Sequence, residues 1–330
     1  MRLPALAVIA GLVAAPAWAQ TGPSFDCAKA SMAVEKAICR DAGLAAADRT
    51  MAETYKQLFD KLVGAARDEL QKDQARWLAG RNRACSDGAV EVATCLKNRI
   101  ENRLANLRVM ADGTFPFVGQ QTIIKVGKVR NAGFAIDASY PRFDGKAADL
   151  SATNAFFADR TKVAIADHVP NADEFADRPQ TWSYEQSFVL HRPGANAIAI
   201  ATTYYGFTGG AHGYGAVTGA LVDLRSGRLL APPDIFAPGD KWLPALRDWV
   251  TADLKNQFVE RPGFEDALAP EKLNKLLRDP ERYIWRADGL AIVFNQYEVA
   301  AYVMGRYVVH VPYVRLEPLM RPDVPVGKKV

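Results

Sequence analysis

The amino-acid sequence predicts a helical bundle clamped by disulfides, followed by an α+β domain whose sheet is mostly antiparallel. Two observations lead to this prediction. Four cysteines lie among apolar residues at helical spacing in the first third of the chain. Beyond residue 120, short β-prone runs alternate apolar and polar residues, and helical patterns separate only some of these runs.

Residues 1–19 have the pattern of a secretory signal peptide. Arg2 precedes an apolar run over Leu3–Ala15, and the small residues Ala17 and Ala19 precede the cleavage point. No later apolar run approaches the roughly 18 residues that are needed to cross a bilayer. We therefore expect an exported protein, periplasmic or secreted, with no membrane span after signal cleavage.

The charge balance does not indicate a nucleic-acid or membrane partner. The 41 Lys and Arg against 37 Asp and Glu give a formal charge of +4 at pH 7. Loss of Arg2 with the signal lowers this charge to +3. Such a balance does not favour binding to nucleic acid or to an anionic membrane, and we expect neither partner.

The cysteines predict two disulfides. An even number of cysteines in an exported chain is typical of disulfide bonding, and four cysteines allow three connectivities. We favour the two local pairings, Cys27–Cys39 and Cys85–Cys95, because Ser86 and the residues after it turn the chain back. We expect no metal, since the spacings are not those of a zinc finger and no histidine lies in this region.

Three apolar stripes at helical spacing predict a bundle of about four helices over residues 24–110. We expect their members to form the core of the bundle. The stripes are Leu44, Met51, Tyr55, Leu58 and Leu62; Leu70, Trp77 and Leu78; and Leu96, Ile100, Leu104 and Leu107.

The same region resembles a known family. The runs FDCAKASMAVEKAIC, LAAADRTMAETY, QARWLAGRNRAC and CLKNRIENRLANL are similar to the LprI family of exported lysozyme inhibitors. The resemblance covers roughly residues 25–107 and includes all four cysteines. It implies a helical, disulfide-bonded module whose partner is lysozyme or another muramidase.

The remainder of the chain predicts a linker over 111–119, an α+β domain over 120–320 and a flexible tail over 321–330. Residues 229–236 (LLAPPDIF) contain too much proline for regular structure. We expect strands at 121–129, 134–143, 181–191, 195–203, 216–224, 289–295 and 306–312, and helices at 150–168, 242–258 and 270–278.

The stretch Tyr204–Gly215, YYGFTGGAHGYG, joins two of these strands and predicts a long hairpin with a glycine-rich tip. Glycine permits a close approach of backbone to a partner, so such a tip exposes backbone donors beside aromatic rings. The alternative is a bulged hairpin whose aromatic side chains cover the sheet. The candidate binding residues are Tyr204, Tyr205, Thr208, Gly209, Gly210, His212 and Tyr214.

The segments TYYGFTGGAHGYG and GLAIVFNQYEVAAYVMGRYVVHVPYVRL resemble the RsiV-like domain. That domain occurs in a lysozyme-sensing anti-sigma factor and beside the catalytic domain of the deacetylase PdaC. The sequence shows neither a sigma-binding segment nor the aspartate-rich motif of the deacetylase. The resemblance therefore implies binding to lysozyme, without either of those activities.

The sequence contains no standard catalytic motif, neither G-x-S-x-G nor S-x-x-K, H-E-x-x-H or a P-loop. We therefore expect a non-catalytic protein without a cofactor that inhibits lysozyme by occluding the glycosidase cleft. Two alternatives stay open at this stage. A peptidoglycan-binding module would stack sugars on the aromatic hairpin, and an envelope hydrolase would require two close carboxylates in a cleft.

Overall fold

The structure is a computed structural model that describes residues 22–86, 91–111, 117–145, 148–171, 180–239 and 241–327. A helical region with two disulfides precedes a sheet-rich region with mostly antiparallel strands, which confirms the expected fold class. The predicted signal at residues 1–19 lies outside the described residues. In the ranges that the structure describes, no helix is both long enough and apolar enough to cross a membrane.

The helical region contains the two local disulfides. Cys27 bonds to Cys39 and Cys85 bonds to Cys95, with Cα–Cα distances of 5.8 and 5.6 Å. The apolar stripes form the core between the helices, as expected, except for Leu104, which is half-buried and lies outside this core. The helices are α1 (Ala33–Arg40), α2 (Ala42–Lys61), α3 (Ala65–Ala84) and α4 (Val92–Ala111).

After the helical region, the first six strands form one sheet in the order β1 to β6. Neighbouring strands are antiparallel except β2 and β3, which are parallel because helix α5 crosses over between them. The elements are β1 (Phe117–Val129), β2 (Ala132–Asp144), α5 (Ser151–Asp167), β3 (Thr181–Gly194), β4 (Ala197–Phe207), β5 (Tyr214–Asp223) and β6 (Arg228–Leu229).

The last part of the chain adds a three-stranded antiparallel sheet in the order β7, β8, β9. It packs with α7 and α8 around a second hydrophobic core that includes Trp285 and Phe236. Its elements are α6 (Pro232–Ile235), α7 (Trp242–Gln257), α8 (Pro270–Leu277), β7 (Tyr283–Trp285), β8 (Gly289–Phe294), β9 (Tyr307–Pro312) and α9 (Tyr313–Leu316).

Polar side chains attach the helices to the large sheet. Asp73 of α3 binds Arg103 of α4 at 2.7 Å, and their side chains are only 0% and 1% exposed. The Oδ1 atom of Asp73 also accepts a hydrogen bond from the Gln120 amide of β1 at 2.6 Å. Asn106 of α4 donates to the Phe188 carbonyl and accepts from the Leu190 amide of β3. Helices and sheet therefore share one core rather than standing apart.

Four details differ from the sequence-based expectations. The end of the expected linker belongs to β1, because Phe117 is buried and pairs with Asp144. The proline-rich stretch contains the short helix α6, since proline is tolerated in the first helical turn. Strands β6 and β7 were not predicted, because two or three residues show no alternation. Part of the expected tail is packed, with Val326 1% exposed.

Candidate functional site

Strands β4 and β5 form the predicted hairpin. They pair antiparallel from Ala197 opposite Asp223 to Gly206 opposite Tyr214. The tip reverses through Gly209 and Gly210, both at φ +99°, a conformation that other residues rarely adopt. No described residue accepts a hydrogen bond from the backbone N–H of either glycine.

At two other positions of the hairpin only glycine fits, because neighbouring side chains lie very close to the backbone. A Cβ atom on Gly206 would lie 2.1 Å from Nε2 of His168, and one on Gly213 would lie 2.4 Å from Cζ of Tyr205. The two contacts are on opposite faces of the hairpin. His168 covers one face, and the ring of Tyr205 lies across Gly213 and Gly215 on the other.

Because successive side chains of a strand point to opposite faces, the side chains of Tyr204 and Tyr205 lie on different faces of the hairpin. Tyr204 borders a groove made of two adjoining cavities of 510 and 300 Å³, which share Tyr204, Tyr214, Thr218 and Glu281. We call it the tyrosine groove. Tyr205 borders a 660 Å³ cavity between α4 and strands β2 to β4, which we call the interdomain crevice.

Hydrogen bonds hold the wall of the tyrosine groove next to α5. Nδ1 of His168 donates to the Ala164 carbonyl at 2.6 Å, which leaves Nε2 of a neutral imidazole to accept from the Tyr214 hydroxyl at 3.2 Å. Tyr184 donates to Gln186 Oε1 at 2.7 Å. His168 could not be predicted as a site residue from the sequence, since a single histidine at a helix end has no distinguishing pattern.

Burial raises the pKa of the hydroxyl groups of Tyr184, Tyr204 and Tyr214. Neighbouring tyrosines or carboxylates add to each rise, and the charge of Arg160 opposes it for Tyr184 and Tyr204. In each case loss of solvent around the phenolate is the largest cause. These hydroxyl groups are therefore protonated at neutral pH and can act as hydrogen-bond donors.

Ion pairs cross the tyrosine groove. Arg160 of α5 binds Glu281 of the turn before β7, with Nη2 2.9 Å from Oε2. Arg282 binds Glu298, with Nη2 2.8 Å from Oε1. Five carboxylates and two guanidiniums line the groove, which gives it a formal charge of −3: Asp159, Asp167, Asp279, Glu281 and Glu298 against Arg160 and Arg282.

Beyond Tyr214, the groove is bordered by an aromatic turn of the second sheet. His212 stacks on Tyr302 with ring centroids 4.2 Å apart, and Tyr302 in turn lies 5.7 Å from Tyr297. Tyr297 is 58% exposed and has φ +67°, which is uncommon outside glycine. Asn295 fixes this turn, because it accepts from the Val217 amide at 2.8 Å and donates to the Val217 carbonyl at 3.1 Å.

The structure brings together only part of the predicted binding residues. Tyr204 and Tyr214 line the tyrosine groove, and His212 contacts Tyr302 at its far end. Tyr205 lies on the opposite face. Thr208, Gly209 and Gly210 form the tip between the two faces. Tyr205 and Tyr214 are 43% and 49% exposed, so the hairpin presents aromatic surface on both sides.

Carboxylates also occur in the interdomain crevice. Asp137 of β2 and Glu185 of β3 are direct neighbours across the parallel pair, and both line the crevice. Asp137 forms an ion pair with Arg99 of α4. Burial raises the pKa of Asp137, and the charge of Arg99 opposes this rise. In the described part of the chain, no three His, Cys, Asp or Glu side chains are grouped so that they could hold a metal ion.

Two family models match separate parts of the chain, the helical region and the C-terminal region. Residues 27–107 match the family model described as lysozyme inhibitor LprI, and residues 233–314 match that of DUF3298, a protein of unknown function. The second match begins after the hairpin, within the 120–320 region expected from the sequence. No curated protein matches the chain.

Two solved structures of DUF3298 family proteins are similar to this chain. One, from Pseudomonas aeruginosa PAO1, is 14% identical, and the alignment covers 64% of this chain and 99% of that chain with a TM-score of 0.46. The other, from Bacteroides fragilis NCTC 9343, is 17% identical and covers 63% and 94%, with a TM-score of 0.42. The two family-model matches show that the protein carries an LprI domain at residues 27–107, which supports a lysozyme-inhibitor-type role, and a DUF3298 domain at residues 233–314.

Proposed function

We propose that this protein is an exported, non-catalytic inhibitor that binds a basic lysozyme through the tyrosine groove and occludes the glycosidase cleft. The observation that best supports the proposal is the charge of the groove. It is −3, whereas the whole chain has a formal charge of +4. An acidic aromatic surface therefore lies where the hairpin and the second sheet meet.

The charges next to the contact determine its electrostatic energy, because dissolved salt screens the charges on the rest of the molecule. Charges that are separated by more than about 8 Å are largely screened at physiological ionic strength. The net positive charge therefore repels a basic partner only weakly, while the carboxylates of the groove attract basic side chains at its surface. Tyrosine is one of the residue types that typically contribute most of the binding energy at a protein interface.

The exposed tyrosines supply the contact surface. Tyr214 and Tyr297 are 49% and 58% exposed, at the groove and at its aromatic border. Tyrosine gives large contact area with few rotatable bonds, so little conformational entropy is lost on binding. The contacts of Tyr214 with His168 and of Asn295 with Val217 hold these walls before a partner arrives.

The LprI domain and the hairpin form one continuous surface. Asn98 and Asn102 of α4 line the interdomain crevice together with Tyr205 of the hairpin. The two disulfides fit a protein that acts outside the cytoplasm, where thiols are oxidised.

A pair of charge-neutralising variants tests the proposal. The exposed carboxylates Asp159 and Asp167 are changed together to asparagine, and inhibition of a cationic lysozyme is measured with a cell-wall suspension. We expect inhibition to weaken by about tenfold at low salt and by less at high salt. The matched control is the double change Asp60→Asn with Glu260→Gln, which removes the same charge outside the groove.

Equal inhibition by both double variants would show that the groove does not contact lysozyme. Cleavage of the cell wall by the purified protein alone would contradict a non-catalytic role and would favour the hydrolase alternative.

A further inference from the structure

We propose that the interdomain crevice is a binding site for a neutral oligosaccharide. This site lies on the face of the sheet opposite the tyrosine groove, and the proposal does not depend on lysozyme binding. Its volume of 660 Å³ is within the range of about 300–1,000 Å³ that is typical of ligand pockets.

The lining of the crevice matches the chemistry of a sugar. A sugar hydroxyl group both donates and accepts hydrogen bonds, so a site for it needs groups of both kinds. Amide and hydroxyl side chains offer both functions without a net charge. Such residues line the crevice, among them Thr94, Asn98, Asn102, Ser187 and Thr203.

Tyr205 supplies an apolar platform. Its ring lies across Gly213 and Gly215, where an added Cβ atom would approach the ring to 2.4 and 3.4 Å. The ring is thus supported by the backbone of β5, while the side chain remains 43% exposed. A fixed aromatic face of this kind can pack against the C–H face of a pyranose ring. The glycines at these two positions therefore have a function in shaping the platform.

Asp137 supplies a buried acceptor. One of its oxygens binds Arg99, whereas the other, Oδ1, is buried without a hydrogen-bond partner among the described residues. A buried carboxylate oxygen without a partner is unfavourable, so a ligand hydroxyl that donates to it would relieve this cost. The Asp137 side chain is 16% exposed and lines the crevice, so a small shift of this side chain would present Oδ1 to a ligand.

The net negative charge of the crevice disfavours an anionic ligand. Glu101, Asp137 and Glu185 outnumber Arg99, which gives a formal charge of −2. Glu101 and Glu185 are exposed, whereas the buried carboxylate of Asp137 forms an ion pair with Arg99. A phosphate or an acidic peptide would meet repulsion, whereas an uncharged sugar would not.

Calorimetric titration of the whole exported protein with the neutral β-1,4-linked tetramer of N-acetylglucosamine tests this site, without lysozyme in the cell. We expect saturable binding with a Kd of about 1 mM or tighter, and an approximately tenfold loss in Tyr205→Ala. Tyr297→Ala is the matched control, because it removes an exposed tyrosine from the tyrosine groove and leaves the crevice intact.

Three results would overturn the inference. They are the absence of saturation up to about 10 mM tetramer, equal binding by Tyr205→Ala and the parent protein, and loss of binding in Tyr297→Ala alone. Saturable binding of tetra-arginine that depends on Tyr205, with none of the sugar, would show that the crevice takes a basic peptide instead. None of these results depends on whether the protein inhibits lysozyme, so the two proposals fail separately.

Discussion

The hydroxyl group of Tyr214 lies 3.2 Å from Nε2 of His168, and this hydrogen bond joins the hairpin to the C-terminal end of α5. The two residues are 46 positions apart in the chain. The contact closes one wall of the tyrosine groove before a partner binds. A preformed wall lowers the entropy that must be lost on association.

The first prediction concerns the glycine beneath this contact. In Gly206→Ala the new methyl group would lie 2.1 Å from Nε2 of His168, so the histidine must move. We expect a loss of about 1–3 kcal/mol in the free energy of unfolding, measured by urea denaturation. The control is Gly80→Ala in α3, where the nearest atom is 3.5 Å away. That variant should be neutral or more stable by up to roughly 1 kcal/mol.

The second prediction concerns the attachment of the helices to the sheet. Asp73→Ala leaves the guanidinium of Arg103, which is 1% exposed, without its carboxylate. Loss of one partner of a buried ion pair typically costs about 3–5 kcal/mol of folding stability. A fall in the thermal midpoint comparable to that of the exposed control Asp60→Ala would show that the pair does not stabilise the fold.

The third prediction concerns pH. Burial, together with the nearby charge of Arg286, lowers the pKa of His191 to about 4, although the charge of Asp288 opposes the shift. The unfolded chain therefore binds this proton more readily than the folded protein between about pH 6.5 and 4. Stability is present above the unfolded pKa and is lost as the pH falls through this window.

Chemical denaturation at a series of pH values measures this dependence. The loss should be on the order of a few kcal/mol at most, since each unit of pKa shift corresponds to about 1.4 kcal/mol. His191→Gln removes the titrating group, so its stability should decline less over the same window. Parallel curves for the variant and the parent protein would assign the pH dependence to other groups.

The fourth prediction separates binding from stability at the hairpin. Tyr214→Ala combined with His212→Ala removes a half-exposed ring of the tyrosine groove and the ring that stacks on Tyr302. We expect at least about 2 kcal/mol of lost affinity for lysozyme, roughly thirtyfold, with little change in the thermal midpoint. A lower midpoint with unchanged affinity would identify the hairpin as structural. Val259→Ala, a change at another exposed apolar residue, should alter neither quantity.

The sequence by itself determined the features that depend on residues close together in the chain. The spacing of Leu96, Ile100 and Leu107 indicated a helix, because apolar residues three or four positions apart share one helical face. The alternation on both sides of the glycine-rich stretch indicated the β4–β5 hairpin. Even the local disulfides followed from short separations, 12 and 10 residues, which a turn can close.

Only the tertiary structure decided how distant residues combine. Asp73 and Arg103 resemble ordinary polar positions of their helices, and only the packing of α3 on α4 and β1 shows that they are buried partners. The tyrosine groove likewise takes its charge from α5, from the turn before β7 and from the turn after β8. Local patterns contain no information on which of these segments meet, because their contacts arise from the burial of two hydrophobic cores built from residues far apart in the chain.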